Sequence, residues 1–589
     1  MKKPLGRRRN KRLAKQFGLS LMMLSLPLAC GCWNETTTDG NLPPPGEIAV
    51  EGSLTEPTVR FEDVTASSGI EHVITSGHEA KQYGMIDFVG GGVAAFDYDL
   101  DGLCDLAFAG GGYYGENALM GRRGAMYRSL EAFRFVDVSA IAGFDLSKFY
   151  NHATLADDFN ADGFDDLLVT GFGGLQLLIN QGDGTFQQHA EAVGLVDDRW
   201  STGGATFDLD GDGLLDVYVS HYGEWSLEHN PICHLTLPGS PRGACAPRQF
   251  AGITDKLFVQ REGGAFVEQG EALGVEPQGR GLGVLAADFD GDRDVDVYVA
   301  NDSERNFYYI NEGGKLREAA TLKGCAADNA GVVQGSMGIT LGDYQGDAKP
   351  DLFVTNFSRE LPALYENREP LGYRFATLPA GVRVLGEEQV SWGTQFVDAD
   401  LDGDQDLLVI SGHVDRVNPF HLQKSTYLEN VGGKFVDHSS QAGDFFTKPL
   451  AGRGLATADF DADGQLDLAV SQLDAPSLVL KNNGLAKQGW LEVRLVGTRS
   501  NRNAIGAAVK LVAGDSTQAA WIHGGGSYLS TSQRILHFAV PKNVGDDPMT
   551  LHVTWPSGLE DDLKVSGVGR RLLVVESADG TSPSEVIDQ

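Results

Sequence analysis

Between residues 59 and 486 the chain repeats one order of apolar and polar segments. A run of small and apolar residues ("GGVAAF", "GGATF", "GLATA") leads into a compact acidic loop. A continuous apolar run follows directly: "LAFA", "LLVT", "VYVS", "VYVA", "LFVT", "LLVI", "LAVS". A third apolar segment ends in Asn and turns through Gly, as in "LQLLINQGDGTF", "NFYYINEGGKL" and "STYLENVGGKF". A fourth re-enters with an "FVD" pattern, at Phe135-Val136-Asp137 and Phe435-Val436-Asp437. Short apolar runs bounded by Gly and Asn turns predict strands. Four strands in each unit of about 50–60 residues, repeated seven times, predict an all-β fold, a seven-bladed β-propeller. Small residues in the first strand suit a crowded central axis.

The pattern also predicts how the circle closes. The seventh unit stops at "KNNG" without its fourth strand. "VRFEDVT", Val59 to Thr65, precedes the first unit and carries the missing pattern. Past Gly489 the rhythm changes to alternation: "WLEVRLV", "AAVKLV", "LHVTW", "RLLVVE". A small C-terminal β-sandwich-like domain is predicted over 487–580, with 581–589 as a tail.

Before residue 59 the composition is that of a targeting segment. Eight Lys and Arg residues precede "FGLSLMMLSLPLA", a 13-residue apolar stretch too short to span a bilayer. Residues 1–30 are read as an export signal of possible lipoprotein type, with Cys30 and Cys32 as lipidation candidates. Residues 31–58, rich in Thr, Gly and Pro, are read as a flexible leader. The expected location is the periplasm, cell envelope or exterior, with contact to membrane only through such a lipid.

The acidic loop occurs seven times: "DYDLDGLCD", "DFNADGFDD", "DLDGDGLLD", "DFDGDRDVD", "DYQGDAKPD", "DADLDGDQD" and "DFDADGQLD". Positions 1, 3, 5 and 9 carry oxygen ligands. They are Asp97, Asp99, Asp101 and Asp105 in the first loop, and Asp158, Asn160, Asp162 and Asp166 in the second. The third holds Asp208, Asp210, Asp212 and Asp216; the fourth holds Asp288, Asp290, Asp292 and Asp296. The fifth has only Asp343, Asp347 and Asp351, with Gln345 at position 3. The sixth has Asp398, Asp400, Asp402 and Asp406; the seventh has Asp459, Asp461, Asp463 and Asp467. Ca²⁺ takes six to eight oxygens, and alternate short carboxylates in a tight loop aim at one centre. A helical EF-hand would need Glu at position 12, where these loops have Phe or Val. Asp and Gly also form ordinary turns, but seven copies in one phase point to up to seven calcium sites. Gln345 and Ala348 make the fifth the weakest, and Arg293 at position 6 of the fourth departs from Gly.

Charge agrees with a cation role. The formal net charge is −34, and the loops hold 26 of the carboxylates. Such an acidic chain is a poor partner for nucleic acid. If free Ca²⁺ stood at ten times each dissociation constant, every site would add about 1.4 kcal/mol. Seven would add about 10 kcal/mol, the stability of an ordinary domain.

The repeats resemble FG-GAP (VCBS-type) repeats, the calcium-loop blades also found in integrin α-subunit propellers. "WLEVRLVGTRSNRNAIGAAVKL", "WIHGGGSYLSTSQRILHF" and "LHVTWPSG" closely resemble the ASPIC/UnbV module. Together they give the layout of the cartilage acidic protein family and its bacterial relatives. That resemblance implies extracellular calcium binding and adhesion or matrix-type interaction.

Other features bear on partners. Cys233 and Cys245 lie in a long insertion of the third unit, and an exported chain meets oxidising conditions, so a disulfide is expected there. Cys104 and Cys325 are expected to be unpaired. His221, Asn301, Asp302, Asn356 and His413 all follow a second strand. They are either strand-end caps or a ligand face opposite the loops. "GGGSYLS" reads as a Gly-rich turn or a backbone cradle, and Trp521, Tyr528 and Trp555 as core or as sugar-stacking rings. No catalytic motif is present. The expected function is a binding or adhesion module for protein or polysaccharide at the cell exterior. The alternative is a propeller-scaffold enzyme or accessory protein, lyase-like or biosynthetic, with no identifiable catalytic residues.

Overall fold

In the computed structural model the described residues are 59–234, 242–382, 388–414, 420–542, 544 and 547–589. The export signal (1–30), leader (31–58) and lipidation candidates Cys30 and Cys32 lie outside them. Among the described residues no helix is long and apolar enough to cross a membrane.

The fold is all-β and is built from antiparallel sheets. Seven sheets follow one another along the chain, six of four strands and the fourth of six, its four repeat strands being joined by Gly524–Gly525 and Gln334–Gly335. Sheet one is Val93–Phe96, Asp105–Phe108, Ala125–Leu130 and Arg134–Asp137. Sheets two to six repeat this order, their first strands being Tyr150–Asp157, Ser201–Phe207, Gly281–Ala287, Ile339–Gly342 and Ser391–Val397. Sheet seven takes three strands, Gly452–Ala458, Asp467–Gln472 and Leu478–Asn482, from its own stretch of chain. Its fourth is Phe61–Asp63, paired antiparallel with Leu478–Asn482 in the register Phe61 to Asn482.

Apolar clusters join each sheet to the next and sheet seven to sheet one. Phe96, Leu167 and Val169 are shared by sheets one and two. Leu408, Leu455 and Phe61 are shared by six and seven, and Val93, Leu106 and Ala458 by seven and one. The innermost strands approach so closely that side chains are excluded. A Cβ on Gly203 would stand 2.1 Å from the Leu282 carbonyl oxygen, and one on Gly338 would stand 2.0 Å from that of Trp392.

Six of the seven seams carry the same polar latch. A buried amide at the end of each third strand donates to the carbonyl of loop position 2 in the preceding sheet. These bonds are Asn180 to Tyr98 (2.8 Å), Gln260 to Phe159 (2.9 Å) and Asn311 to Leu209 (2.9 Å). Asn367 to Phe289 (2.9 Å), Asn430 to Tyr344 (2.7 Å) and Asn482 to Ala399 (2.8 Å) complete them. Sheet one has Ser129 there. Its seam with sheet seven is closed instead by the rings of Phe133 and Phe135, 6.0 and 5.7 Å from Phe460.

The C-terminal module has two four-stranded sheets. Gly489–Val496 lies between Leu536–Val540 and Arg570–Val575, the latter parallel to it. Ala508–Ala513 lies between Ser516–Trp521 and Met549–Thr554. Glu585–Asp588 pairs with Arg570–Val575. The residues expected as a tail thus contribute an edge strand, whose four exposed side chains gave no burial pattern to read. Trp555 is fully buried and donates to Asp561, 3.0 Å away.

The Gly-rich segment 524–534 leaves this module and touches the first strand of all seven sheets. Gly524 and Gly525 pair with Leu285 and Ala286 and pack on Thr206. Ser527 accepts from Ile339 and Thr394, Leu529 from Thr154, and Ser532 from Thr457. Thr531 exchanges bonds with Val93 and Ala95. Tyr528 is fully buried, its ring 4.8 Å from that of Trp392. "GGGSYLS" is therefore neither a free turn nor an open cradle. Its small residues let backbone run where seven strands converge.

Two substitutions test these closures. Phe61 is 1% exposed and packs on Tyr427 and Phe446; Phe61→Ala should cost about 3–5 kcal/mol in denaturant unfolding. Asn367→Ala strips the latch from the Phe289 and Pro350 carbonyls. Its expected cost is about 1–3 kcal/mol, with no change in secondary structure by circular dichroism.

Candidate metal centre

Each acidic loop joins the first strand of a sheet to its second, and one hydrogen-bond scheme shapes all seven. The position 1 carboxylate accepts the backbone N–H of position 6. Examples are Gly102 on Asp97 (3.1 Å), Arg293 on Asp288 (3.0 Å) and Ala348 on Asp343 (2.7 Å). Positions 4 and 6 are left-handed in every copy, including Arg293 (φ 82°), Ala348 (φ 59°) and Leu100 (φ 57°). The two loops that lack Gly at position 6 therefore keep the common shape at some cost in backbone strain.

The position 9 aspartate is buried in all seven. One of its oxygens accepts the N–H of the residue at the end of the third strand: Ser129 to Asp105 (2.7 Å), Gln260 to Asp216 (2.7 Å), Asn482 to Asp467 (2.8 Å). In six loops the other accepts the N–H of position 2, as Leu209 on Asp216 (2.8 Å). The acidic loop and the seam latch thus meet at one carboxylate.

In five loops, three carboxylate ligand atoms lie within 4.8 Å of one another: Asp97, Asp99, Asp105; Asp208, Asp210, Asp216; Asp288, Asp290, Asp292; Asp398, Asp400, Asp402; and Asp459, Asp461, Asp467. The second and fifth loops, with Asn160 and Gln345 at position 3, do not gather three acids this closely among the described residues. Position 3 supplies the sign of a missing partner. Asp99 Oδ1, Asp290 Oδ1, Asp400 Oδ1 and Asp461 Oδ1 are buried with no hydrogen-bond partner. Buried carboxylate oxygens without donors are costly, and they sit where a hard cation would be bound. In the fifth loop the buried unpartnered atom belongs to the Gln345 amide, which brings no charge to position 3.

Burial raises these groups' pKa values, and neighbouring carboxylates add to it. Asp97, Asp158, Asp208 and Asp288 are pushed up to about 6, and Asp166, Asp216 and Asp351 to about 8. Four loops also recruit cations that the loop spacing does not reveal, the third through Arg261, 3.5 Å from Asp210. Arg128 lies 2.6 Å from Asp99 and 2.8 Å from Asp101. Lys487 lies 2.5 Å from Asp400 and 3.0 Å from Asp402, and Lys481 pairs with Asp461 and Asp463.

The residues proposed as a face opposite the loops do not form an open surface. His221, Asn301 and Asn356 are buried. His221 Nε2 is 2.5 Å from Asp197, and its backbone N–H donates to Asp255 (2.7 Å). Asn301 binds the Arg280 N–H and the Arg305 carbonyl (3.0 Å each), and Asn356 the Ser336 hydroxyl (2.9 Å) and the Leu361 carbonyl (2.6 Å). Asp302 accepts from Tyr222 and Ser303; the His413 ring packs on Phe357. These residues fasten strand ends, the capping alternative. An apolar cluster with Met85, Ile86, Trp200, Trp225 and Phe250 covers the same region. Cys233 and Cys245 are disulfide-linked within the insertion that supplies Trp225 and Phe250. Cys104 and Cys325 are free and buried.

Two family descriptions match the chain: "FG-GAP-like repeat" at residues 158–219 and 288–354, and "ASPIC and UnbV" at 497–581. Cartilage acidic protein 1 of Xenopus tropicalis is 27% identical over 371 residues, 60% of this chain and 51% of that protein. The Homo sapiens protein is 25% identical over 369 residues, covering 60% and 50%. The chain thus spans about half the length of the curated relatives it matches. Among solved structures, an Agrocybe aegerita lectin recognising non-reducing terminal N-acetylglucosamine matches at TM-score 0.37 and 14% identity, over 66% of this chain and 86% of that one. The V. cholerae biofilm matrix protein Bap1 matches at TM-score 0.29 and 12% identity, over 90% and 80%. Scores this low carry no weight for function. The two family matches and the loop chemistry agree: the chain carries FG-GAP-like repeats and a C-terminal ASPIC and UnbV domain, and is similar to cartilage acidic protein 1 over 60% of its length.

Proposed function

We propose that this protein is an exported, calcium-loaded seven-bladed β-propeller, closed by its N-terminal strand and plugged by segment 524–534, that acts as a binding module for protein or polysaccharide outside the cell. The observation that carries the metal reading is the row of buried, unpartnered position 3 oxygens on Asp99, Asp290, Asp400 and Asp461. Positions 1, 3, 5 and 9 would hold the ion. Calcium supplies charge neutralisation there, and the chain supplies a loop already wound around the centre. The domain plan follows: propeller over 59–486, then the module. The targeting pattern before residue 59 supports export. A binding role fits the burial and mutual engagement of the residues best suited to chemistry, His221, Asp197 and Asp255.

Calcium removal should be decisive. Purified protein should carry at least four tightly held Ca²⁺ per chain by elemental analysis, with the fifth loop the least filled. At tenfold excess over each dissociation constant, four sites add about 5–6 kcal/mol, so EGTA should lower the melting temperature by many degrees. An unchanged melting temperature in EGTA would sink the reading.

The pH response follows from the raised carboxylate pKa values. Unfolded aspartate titrates near 3.9, whereas Asp166, Asp216 and Asp351 titrate at about 8 in the fold. The calcium-free fold therefore binds more protons than the unfolded chain between these limits and loses stability as pH rises from 5 to 8. With saturating calcium the slope should flatten or reverse, because metal competes with protons. Calorimetry across that range, with calcium and with EGTA, checks both signs.

A further inference from the structure

The C-terminal module does not lie flush on the acidic loops. A cavity of about 700 Å³ remains between it and the loops of sheets one, two and seven, within the size range of small-ligand sites. Its wall is unusual for so acidic a chain: five arginines face five aspartates. Three of the arginines are engaged, Arg534 with Asp157 (2.8 Å), Arg570 with Asp588 (2.8 Å) and Arg571 with Glu492 (2.6 Å). The other two, Arg494 and Arg502, make no hydrogen bond or close ion pair among the described residues, although the charge of Arg494 acts on Asp97 and holds its carboxyl down against the rise that burial causes. Trp490 forms part of the same wall and packs so tightly on Gly464 that a Cβ there would meet its ring at 2.1 Å.

We propose that this cavity is a subsite for an acidic sugar, a uronate or a sulfated residue. It rests on the binding-module reading above and names the ligand class. A guanidinium fork matches a carboxylate or sulfate through two parallel hydrogen bonds, and Arg494 and Arg502 are the two forks left open. An indole face offers apolar area to the C–H side of a pyranose ring. Position and charge link the cavity to the metal loops. Asp97 and Asp101 of the first loop line it, and the lining side chains balance at five positive and five negative. One Ca²⁺ in that loop tips the balance to net positive, so calcium loading favours the anion.

Calorimetric titration of the calcium-loaded full chain tests this with four probes: trigalacturonate, a sulfated disaccharide, neutral maltotriose and inorganic phosphate. The expected result is binding of at least one acidic sugar, tenfold or more tighter than maltotriose and phosphate, and weaker in EGTA. The double variant Arg494→Gln/Arg502→Gln should lose at least tenfold for the acidic sugar. With saturating calcium its melting curve should move little, because neither side chain makes a hydrogen bond or close ion pair and the bound ion takes over the charge that Arg494 sets against Asp97. Absence of acidic-sugar binding, equal affinity in the double variant, or phosphate binding as tightly as the sugars would overturn the assignment. A glycan array probed with wild type and double variant separates the two levels. Equal glycan binding by both sinks the cavity and leaves the binding module standing.

Discussion

One buried carboxylate per sheet holds this architecture together. The ninth loop aspartate, Asp105, Asp216, Asp467 and their equivalents, accepts backbone N–H groups from the third strand and, in six loops, from its own loop. Those bonds fix where the third strand ends. That end places the amide of Asn180, Asn367 or Asn482 against the neighbouring sheet's loop carbonyl. A local turn thereby sets a long-range seam. The arrangement needs the carboxylate buried, and burial beside several other acids is unfavourable without a counter-cation. The acids are therefore part of the joinery, and neutralising them is a structural requirement before it is a functional one.

The axis imposes the second constraint. First strands converge until Gly203 and Gly338 almost touch neighbouring carbonyls, and no side chain from the sheets can fill the remaining space. Segment 524–534 fills it with backbone, reaching every first strand. A module encoded after the last repeat thus bonds to all of them. Sheets and module share a core in which Val284, Val297, Leu511 and Leu551 take part. The axis is thus occupied by the chain itself, and one accessible concavity lies to the side, beneath the module.

Much of this was legible in the sequence. The loops announce themselves by phase, the strands by apolar runs, and the closing strand by its "FED" echo of the "FVD" pattern; Phe61–Asp63 pairs where that echo places it. What stayed hidden depends on distant partners. "GGGSYLS" has the composition of a turn, and only the converging strands give it another use. His221 and Asn301 carry chemistry-bearing side chains at strand ends, yet the cluster with Trp225 and Phe250 that covers the region comes from an insertion and from residues 85–89. Left-handed Leu100, Leu401 and Ala462 at position 4 go against residue preference, so tertiary bonding overrides local propensity there.

The seven loops are not equal, and the inequality has a direction. In loops one, six and seven a tethered cation, Arg128, Lys487 or Lys481, already lies on the carboxylates of positions 3 and 5. One ammonium or guanidinium satisfies one or two oxygens; a calcium ion draws in six to eight. The inner oxygens of Asp99, Asp400 and Asp461 stay unpartnered even with these cations in place. The tethered charges therefore lower the repulsion in a bare loop without completing it. In the calcium reading proposed above, they would have to leave at least one carboxylate for the ion to be held. Asp290 in the fourth loop has its own unpartnered oxygen and no Lys or Arg ion pair among the described residues. There the charge of Lys323 works against the rise that burial imposes on Asp290, without a close ion pair, so the fourth loop would lean more on a bound cation than loops one, six and seven.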